Sequence, residues 1–343
     1  MTKFELKKIT LILSPGEIKK AAEIIRSGGT VAFPTETVYG LGANALDEDA
    51  VAKIFHAKRR PADNPLIVHI SSREMLNMVA MDIPALAFKL MDAFWPGALT
   101  IILKSKDIVP DITTGGLDTV AVRMPDNEIA ISLINESGVP IAAPSANISG
   151  RPSPTKAEHV IKDLTGRIDA IITGGDCRLG VESTVIDLTH SPPSLLRPGG
   201  LSLEEIISCI GEINVVEDSV KSPGMRYTHY SPKTRLILVE GEQKPALSRM
   251  SRLINEFREQ GLRVGAIVSR ESSPSIECDA KYVLGSVDDL KEVAGRLFSG
   301  LRFIDEAGVD VGIAEGVFPE KREGREIMNR LRKAAKEKVI CGQ

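Results

Sequence analysis

The chain has 343 residues, more than one hydrophobic core usually serves, so its length predicts two domains. Hydrophobic residues make up 43% and charged residues 26%, a composition that excludes a mainly disordered or fibrous protein. The net charge of −3 argues against a protein whose main task is to coat nucleic acid, and no apolar run is long enough to predict a membrane-spanning helix.

The amino terminus lacks the apolar core of a secretory signal. Its apolar run covers only 9–13 before Pro15 and Gly16 interrupt it, which is too short for a signal peptide. The four cysteines are widely spaced and form no CxxC pair, so they predict neither a zinc site nor a disulfide framework. Both observations favour a cytoplasmic protein.

Helix start and stop signals open the first domain. Ser14 is predicted to cap a helix, with Pro15 at its first position, Glu17 completing a capping box and the glycines at 28–29 ending it. A strand over 30–33, the Gly-rich loop PTETVYGLGANA and an amphipathic helix over 49–59 are predicted to follow.

Further apolar runs rich in β-branched residues predict more strands. The predicted strands cover 65–70, 99–104, 119–124, 168–173 and 183–188, with helices over 84–94 and 127–136. Their irregular order differs from the strict alternation of a doubly wound fold. We therefore interpret 1–215 as one α/β domain around a mixed, twisted sheet.

The residue pattern changes twice in the rest of the chain. The segment PGMRYTHYSPKT has neither helical nor strand periodicity, so 216–233 is predicted to be a linker, and its aromatic and basic side chains suggest a lid. Beyond it, strands over 234–240, 263–269, 281–286 and 309–315 alternate with helices over 244–260, 288–305 and 323–338. This alternation predicts a smaller, Rossmann-like parallel-sheet domain over 234–343, although no GxGxxG motif indicates a dinucleotide site.

Polar residues at loop and strand ends are the candidates for chemistry, because the chain has neither a P-loop nor a GxSxG motif. The strongest candidate is the run Lys58-Arg59-Arg60 at the end of a predicted helix. Lys58 and Arg60 could converge on a triphosphate as charge develops on its leaving group. The alternative interpretation is structural, because a helix dipole accommodates cations at a carboxyl end.

Two loops combine small residues with hydrogen-bonding side chains. The segment APSANISGRPSPT, 143–155, offers Ser145 and Asn147 to a phosphate or ribose, and PTETVYGLGANA offers the Thr35 hydroxyl to a small polar ligand. A surface loop and a strand-to-helix turn are the corresponding structural alternatives.

His69 and Arg123 lie in or at the end of apolar strands, where polar side chains need partners. A carboxylate ligand would supply one. A core histidine with its hydrogen bonds satisfied and a buried ion pair at Arg123 are the competing interpretations. Ser183 and Arg197 are weaker candidates.

Together, these segments resemble the YrdC-like domain of the L-threonylcarbamoyladenylate synthases. The matching motifs are, in order, PTETVYGLGANA, KRRPADNPL, FWPGALTIIL, TVAVRMPD, APSANISG, ESTVID and LRPGG. The segment PGMRYTHYSP and the C-terminal α/β domain look like the long, two-domain form of the family. The resemblance therefore spans nearly the whole chain.

The resemblance implies a nucleotidyltransferase that makes threonylcarbamoyl-AMP and pyrophosphate from L-threonine, bicarbonate or CO₂, and ATP with Mg²⁺. The product would supply the threonylcarbamoyl group for an adenosine next to the anticodon of tRNA. The implied partners are these substrates, a downstream tRNA threonylcarbamoyl transferase complex and, through weak contact, tRNA itself, with no membrane.

The resemblance also implies site residues, with Lys58 and Arg60 as the catalytic pair. The implied ATP-binding residues are Lys58, Arg60, Asn64, Thr119, Ser145, Asn147, Ser153, Arg197 and Tyr230. The implied threonine-binding residues are Thr35, His69, Arg123, Ala143 and Ser183. Arg123 would pair with the threonine carboxylate, and no residue is implied as a direct metal ligand.

Two other functions stay open on the sequence alone. RNA binding without catalysis would be weak and salt-sensitive, and the balanced charge argues against it as the main role. A carbamoyl-transfer enzyme of hydrogenase maturation carries a similar domain beside acylphosphatase-like and zinc-finger parts. This chain has no cysteine clusters for a zinc finger.

Overall fold

The computed structural model describes residues 8–216 and 230–341, and the chain divides into two compact units. The described part of the first unit comprises 8–149, 154–178 and 182–216, and that of the second comprises 150–153, 179–181 and 230–341. Most of the predicted linker and lid, 217–229 of 216–233, lies outside the described residues. Within the described ranges, no helix is both long and apolar enough to cross a membrane.

A twelve-stranded sheet forms the centre of the first unit. Its strands are β1 (Leu11–Leu13), β2 (Val31–Phe33), β3 (Gly40–Asn44), β4 (Ile67–His69), β5 (Ala80–Met81), β6 (Leu99–Ser105), β7 (Thr119–Arg123), β8 (Ile141–Ala142), β9 (Ala170–Ile172), β10 (Thr184–Asp187), β11 (Ser194–Arg197) and β12 (Asn214–Val215). They lie in the order β1-β9-β2-β3-β8-β4-β7-β6-β10-β11-β12, and β5 pairs with β6. The β4–β7 and β6–β10 pairs are parallel and the β6–β7 pair is antiparallel, which confirms the predicted mixed sheet.

Helices cover both faces of this sheet. They are α1 (Ile18–Arg26), α2 (Glu48–Lys58), α3 (Arg73–Val79), α4 (Ala85–Phe94), α5 (Asp111–Thr114), α6 (Glu128–Ser137), α7 (Ala157–Leu164) and α8 (Leu203–Ile210). Side chains alternate across each strand, so β2 contributes to two cores. Val31 and Phe33 pack with the apolar residues of α1 and α6, whereas Ala32 packs on the other side with those of α2, α4 and α7.

The helix ends follow local signals in the sequence. The Asn127 side chain accepts hydrogen bonds from the first free amides of α6, and Gly138, at φ 68°, ends that helix. The predicted capping box forms between Ser14 and Glu17, but Pro15–Glu17 make a 3₁₀ turn and α1 begins only at Ile18.

The Gly-rich segment predicted as a loop is in part a strand, because its second half forms β3. Glycine disfavours strands in general, which explains the wrong prediction. A Cβ atom at Gly42 would lie 2.6 Å from Ile141 Cγ2 and 2.7 Å from Phe33 Cε1. The tight packing around β3 therefore requires glycine at this strand position.

The second unit is a five-stranded parallel sheet with helices between its strands. Its elements are β13 (Arg235–Glu240), α9 (Gln243–Glu259), β14 (Val264–Val268), β15 (Ala280–Val283), α10 (Leu290–Glu306), β16 (Val311–Gly316), α11 (Glu323–Ala334) and β17 (Glu337–Ile340). The strand order is β15-β14-β16-β13-β17. The predicted parallel α/β architecture is confirmed.

The helix predicted over 323–338 is wrong at its carboxyl end. The α11 helix ends at Ala334, Ala335 is extended with φ −76° and ψ 135°, and β17 follows. The charged residues here favour a helix by propensity, but β17 pairs with β13. The Arg235 guanidinium also binds the Glu337 carboxylate across that pair at 2.7 Å. Pairing with the sheet therefore overrides local propensity.

Candidate active site

The carboxyl end of α2 places Lys58 against the loop at 145–149. Lys58 is 1% exposed, and its ammonium group donates to the backbone carbonyls of Ser145 and, at 2.5 Å, Asn147. The helix ends here because Arg59 has left-handed backbone, at φ 54°. The Ser149 amide then donates to the Lys58 carbonyl at 2.9 Å. Two motifs that are far apart in the sequence are thus joined by one buried cation.

Hydrogen bonds within the Ser145–Asn147 loop fix its shape. The Ser145 hydroxyl donates to Asn147 Oδ1 at 2.6 Å, and the Asn147 amide group donates to the Ile148 carbonyl at 2.9 Å. The loop is attached to β3, because the Ala146 amide donates to the Tyr39 carbonyl at 2.7 Å. Neutral donors and acceptors therefore stand in one ordered loop beside the Lys58 cation.

Arg60 and Asn64 form a turn after α2. The Arg60 guanidinium is half-buried and donates to the carbonyls of Asn64 at 3.3 Å and Pro65 at 3.2 Å. Asn64 itself is fully buried. Thr119, a predicted ATP residue, begins β7, and Arg123, a predicted threonine residue, ends it. The two residues are about 13 Å apart along the strand, so the structure does not bring them together.

Arg123, at the end of β7, is the centre of a buried polar cluster that we call the arginine cluster, comprising Thr35, Glu36, Thr37, His69 and Arg123. The guanidinium donates from Nη1 to Thr37 Oγ1 at 2.8 Å and from Nε to the Gly97 carbonyl at 3.1 Å. Its Nη2 lies 2.6 Å from Glu36 Oε1 in an ion pair. The Thr35 and Thr37 hydroxyls are 2.8 Å apart. The buried ion pair weighed for Arg123 from the sequence is therefore present.

A second buried arginine holds Ser183, just before β10. Arg197 Nη2 donates to the Ser183 carbonyl at 2.8 Å and to its hydroxyl at 3.1 Å. The Ser183 hydroxyl is 2.7 Å from Thr100 Oγ1, and Thr100 pairs with Arg123 across β6 and β7. A predicted ATP residue and a predicted threonine residue thus touch directly, next to the arginine cluster.

Arg197 is the second residue of the LRPGG motif, and the first glycine of that motif, Gly199, packs backbone against backbone. A Cβ atom at Gly199 would lie 2.5 Å from the Thr184 nitrogen and closer still to two other backbone atoms of 182–183. We expect Gly199→Ala to lower the free energy of unfolding by about 1–3 kcal/mol, because backbone cannot move aside as a side chain can. Urea unfolding measures this. Gly16→Ala, where the nearest atom is 3.9 Å away, is the matched control.

His69 lies beside Arg123 in the β4–β7 register, with Nδ1 3.3 Å from the Ile67 carbonyl. Burial, and then the positive charge of Arg123, lower the pKa of His69 to about 3. The imidazole is therefore neutral near pH 7 and can offer one donor and one acceptor.

Because only the unfolded chain takes up this proton near pH 6.5, His69 should make the protein less stable as the pH falls from 6.5 towards 3. The slope is at most about 1.4 kcal/mol per pH unit. Urea unfolding at pH 7, 6 and 5 should show a shallower loss of stability for His69→Gln. His56→Gln, on the exposed side of α2, should keep the wild-type slope, and an unchanged slope for His69→Gln would contradict this prediction.

Three further predicted site residues make none of the contacts described so far. Ala143 precedes the Ser145 loop, and its amide donates to the Ile67 carbonyl at 2.9 Å. Ser153 and Tyr230 belong to the second unit, and both are buried. The Tyr230 ring packs on Phe298, with 5.2 Å between ring centroids, and the Arg330 guanidinium lies 5.3 Å from its centroid.

Two buried polar residues near Arg123, Glu36 and Thr100, were not predicted as site residues from the sequence. Thr100 is a polar residue in a buried apolar strand, the signal that singled out His69 and Arg123, whereas Glu36 stands between two threonines and carries no such signal. Among the described residues, no group of three His, Cys, Asp or Glu side chains is placed to hold a metal ion.

Comparisons with known proteins identify the family of this chain. Residues 23–199 match a family model described as "Telomere recombination", and 201–336 match one described as "Threonylcarbamoyl-AMP synthase, C-terminal domain". The threonylcarbamoyl-AMP synthase of Pyrococcus abyssi is 55% identical over 331 residues, which cover 94% of this chain and 95% of that protein. This chain belongs to the threonylcarbamoyl-AMP synthase family. The predicted resemblance is confirmed.

Other members of the threonylcarbamoyl-AMP synthase family are similar over the same length. The Bacillus subtilis enzyme is 49% identical, with 94% of each chain covered. The crystal structure of P. abyssi Sua5 complexed with L-threonine aligns with a TM-score of 0.92 at 52% identity, covering 98% of this chain and all of that one. Membership in this family makes the chain an enzyme that forms threonylcarbamoyl-AMP, with a role in tRNA modification.

Proposed function

We propose that this chain acts as a nucleotidyltransferase, moving the adenylyl group of MgATP to the carbamate of L-threonine. The threonine ammonium first loses a proton to solvent, and the free amine then combines with CO₂ and releases a second proton, or combines with bicarbonate and releases water, to give the carbamate. A carbamate oxygen then attacks the α-phosphorus of ATP. One P–O bond forms, the bond from the α-phosphorus to the bridging oxygen breaks, and pyrophosphate leaves.

The observation that carries this proposal is the arginine cluster. Arg123 is 3% exposed, and the side-chain hydroxyls of Thr35 and Thr37 lie beside it. A guanidinium group binds a carboxylate in a planar, two-pronged geometry, and hydroxyls can accept or donate to the other polar groups of an amino acid. A small zwitterion with a carboxylate suits this environment. The P. abyssi relative crystallised with L-threonine supports that choice.

Lys58 and Arg60 supply positive charge for the triphosphate. Lys58 is the last residue of α2, Arg60 lies two positions beyond it, and the left-handed Arg59 stands between them. Lys58 is held by the Ser145–Asn147 loop. Fixed cations stabilise the negative charge that moves onto pyrophosphate as it leaves. Mg²⁺ arrives as part of the MgATP substrate and neutralises phosphate charge there.

No side chain needs to form a covalent intermediate in this reaction. The carbamate is itself the nucleophile, so the protein contributes by holding it in line with the α-phosphorus and by excluding water. Arg197 and Ser183 fit that role, because their mutual hydrogen bonds join the predicted nucleotide and threonine residues. The proposed partners are thus L-threonine, bicarbonate and MgATP, followed by a tRNA threonylcarbamoyl transferase complex and weakly bound tRNA. Cytoplasmic location stays a prediction.

The test is substrate-dependent turnover by the purified full-length chain. Pyrophosphate and the threonylcarbamoyl-AMP adduct should form in equal amounts, and only when L-threonine, bicarbonate and MgATP are all present. Pyrophosphate release that ignores threonine would contradict the proposal. Binding of tRNA with ATP left intact would favour RNA binding without catalysis.

A further inference from the structure

A buried carboxylate of the PTETVYGLGANA motif, Glu36, is not among the implied site residues and lies inside the arginine cluster. Glu36 is 2% exposed and stands between Thr35 and Thr37. Its Oε1 forms the ion pair with Arg123 Nη2, yet neither Glu36 oxygen has a hydrogen bond of good geometry among the described residues. The same holds for Arg123 Nη2. Buried charged groups usually have their hydrogen bonds satisfied, so this pair is unusual.

The rest of the guanidinium is fixed by other contacts. Nη1 donates to Thr37 and Nε to the Gly97 carbonyl, which orient the group and leave Nη2 facing Glu36. The unsatisfied hydrogen-bonding capacity of this ion pair therefore lies on the Glu36 carboxylate and on Arg123 Nη2. Glu36 Oε1 and Arg123 Nη2 are 2.6 Å apart.

Two nearby titratable groups, His69 and Cys177, add no charge to this pair. His69 is neutral near pH 7, because burial lowers its pKa to about 3. Burial, the largest cause, raises the pKa of the Cys177 thiol to about 12, so this side chain is also uncharged. The pair is thus one negative and one positive group with a net charge of zero.

An amino acid carries the complementary arrangement, an ammonium and a carboxylate on one carbon atom. Its carboxylate can accept from Arg123 while its ammonium donates to Glu36, so a single ligand would satisfy both buried groups. A plain carboxylic acid could satisfy only Arg123 and would meet repulsion from Glu36. We infer that Glu36 binds the amino group of L-threonine and makes the site selective for zwitterions, an inference that rests on the proposed function.

The test compares two ligands that differ only in the amino group. L-Threonine and (R)-3-hydroxybutyrate, which has hydrogen in place of the amine, are titrated calorimetrically into the full-length chain. The wild type should bind threonine at least tenfold more tightly. Glu36→Gln should weaken threonine binding by about 10–100-fold, the range for a hydrogen bond to a charged group. Its affinity for (R)-3-hydroxybutyrate should stay the same or rise, because Arg123 no longer faces an anion.

This opposite response separates recognition from a structural role. A damaged fold would weaken both ligands alike, and such a result, or unchanged threonine affinity, would overturn the inference. Glu36→Asp keeps the charge and should retain part of the preference for threonine. Glu23→Gln, the same change at an exposed position of α1, should bind both ligands as the wild type does.

The proposed function and the role of Glu36 would be contradicted by different results. A wild-type chain that neither binds threonine nor makes the adenylate would contradict the proposed function. A wild-type chain that does both, while Glu36→Gln keeps full preference for threonine, would contradict only the role of Glu36.

Discussion

Lys58→Ala should lower the rate of threonylcarbamoyl-AMP formation by about 10²–10³-fold, the usual loss when one preorganised charge or donor is removed from a transition state. Lys58 is buried and its ammonium is already fixed by two loop carbonyls, so almost no reorganisation is needed when pyrophosphate leaves. The rate at saturating substrates should carry most of the loss. Pyrophosphate release with all substrates present measures it.

The matched control for this variant is Lys53→Ala. Lys53 lies on the same helix, is exposed, and also donates to a backbone carbonyl, that of Gly28 at 2.7 Å. It should keep turnover within a factor of two of the wild type. A Lys58→Ala protein that retained a tenth or more of the rate would show that the cation holds the loop and takes no part in the chemistry.

Arg123→Met should cost about 3–5 kcal/mol in free energy of unfolding and abolish measurable threonine binding. The stability loss follows because the substitution leaves Glu36 buried without the cation that compensates it. Methionine is chosen because it fills much of the same length with apolar atoms. Urea unfolding and threonine titration give the two readouts.

The double variant Glu36→Gln with Arg123→Met tests the physical reason. Removing both charges should restore at least half of the lost stability, because no uncompensated charge remains, while threonine binding stays absent. If Arg123→Met and the double variant have equal free energies of unfolding, Arg123 stabilises the fold through its hydrogen bonds to Gly97 and Thr37 instead.

Much of the candidate site could be predicted because its residues stand in recognisable motifs at strand and helix ends. The pairing of those motifs could not. Nothing local indicates that Lys58 meets the carbonyls of 145 and 147, or that Arg197 holds Ser183, because these contacts depend on how β3, β8, β10 and β11 are arranged. In this sheet, strands that are neighbours in space are often remote in sequence.

The two elements that were wrongly predicted, β3 and β17, also depend on contacts with residues remote in sequence. The β3 strand contains glycines that disfavour strands locally, and β17 begins with two charged residues, Glu337 and Lys338, that favour a helix. Each is decided by its neighbours, Phe33 and Ile141 at β3 and the edge of β13 at β17. Helices with clear caps, such as α6, needed no such information and were predicted to within a residue or two.

The long separation of the contacting residues has a consequence for how the protein is made. Thr37 and Arg123 are 86 positions apart, and at about 5–20 residues per second a ribosome takes roughly 4–17 s to add the second after the first. Through most of that interval Glu36 lacks its Arg123 partner, and the β3 edge that faces β8 and the β4 edge that faces β7 have no partner strands. We therefore expect the nascent chain to depend on chaperones until Arg197 has emerged, a cost that comes with assembling one binding site from distant strands.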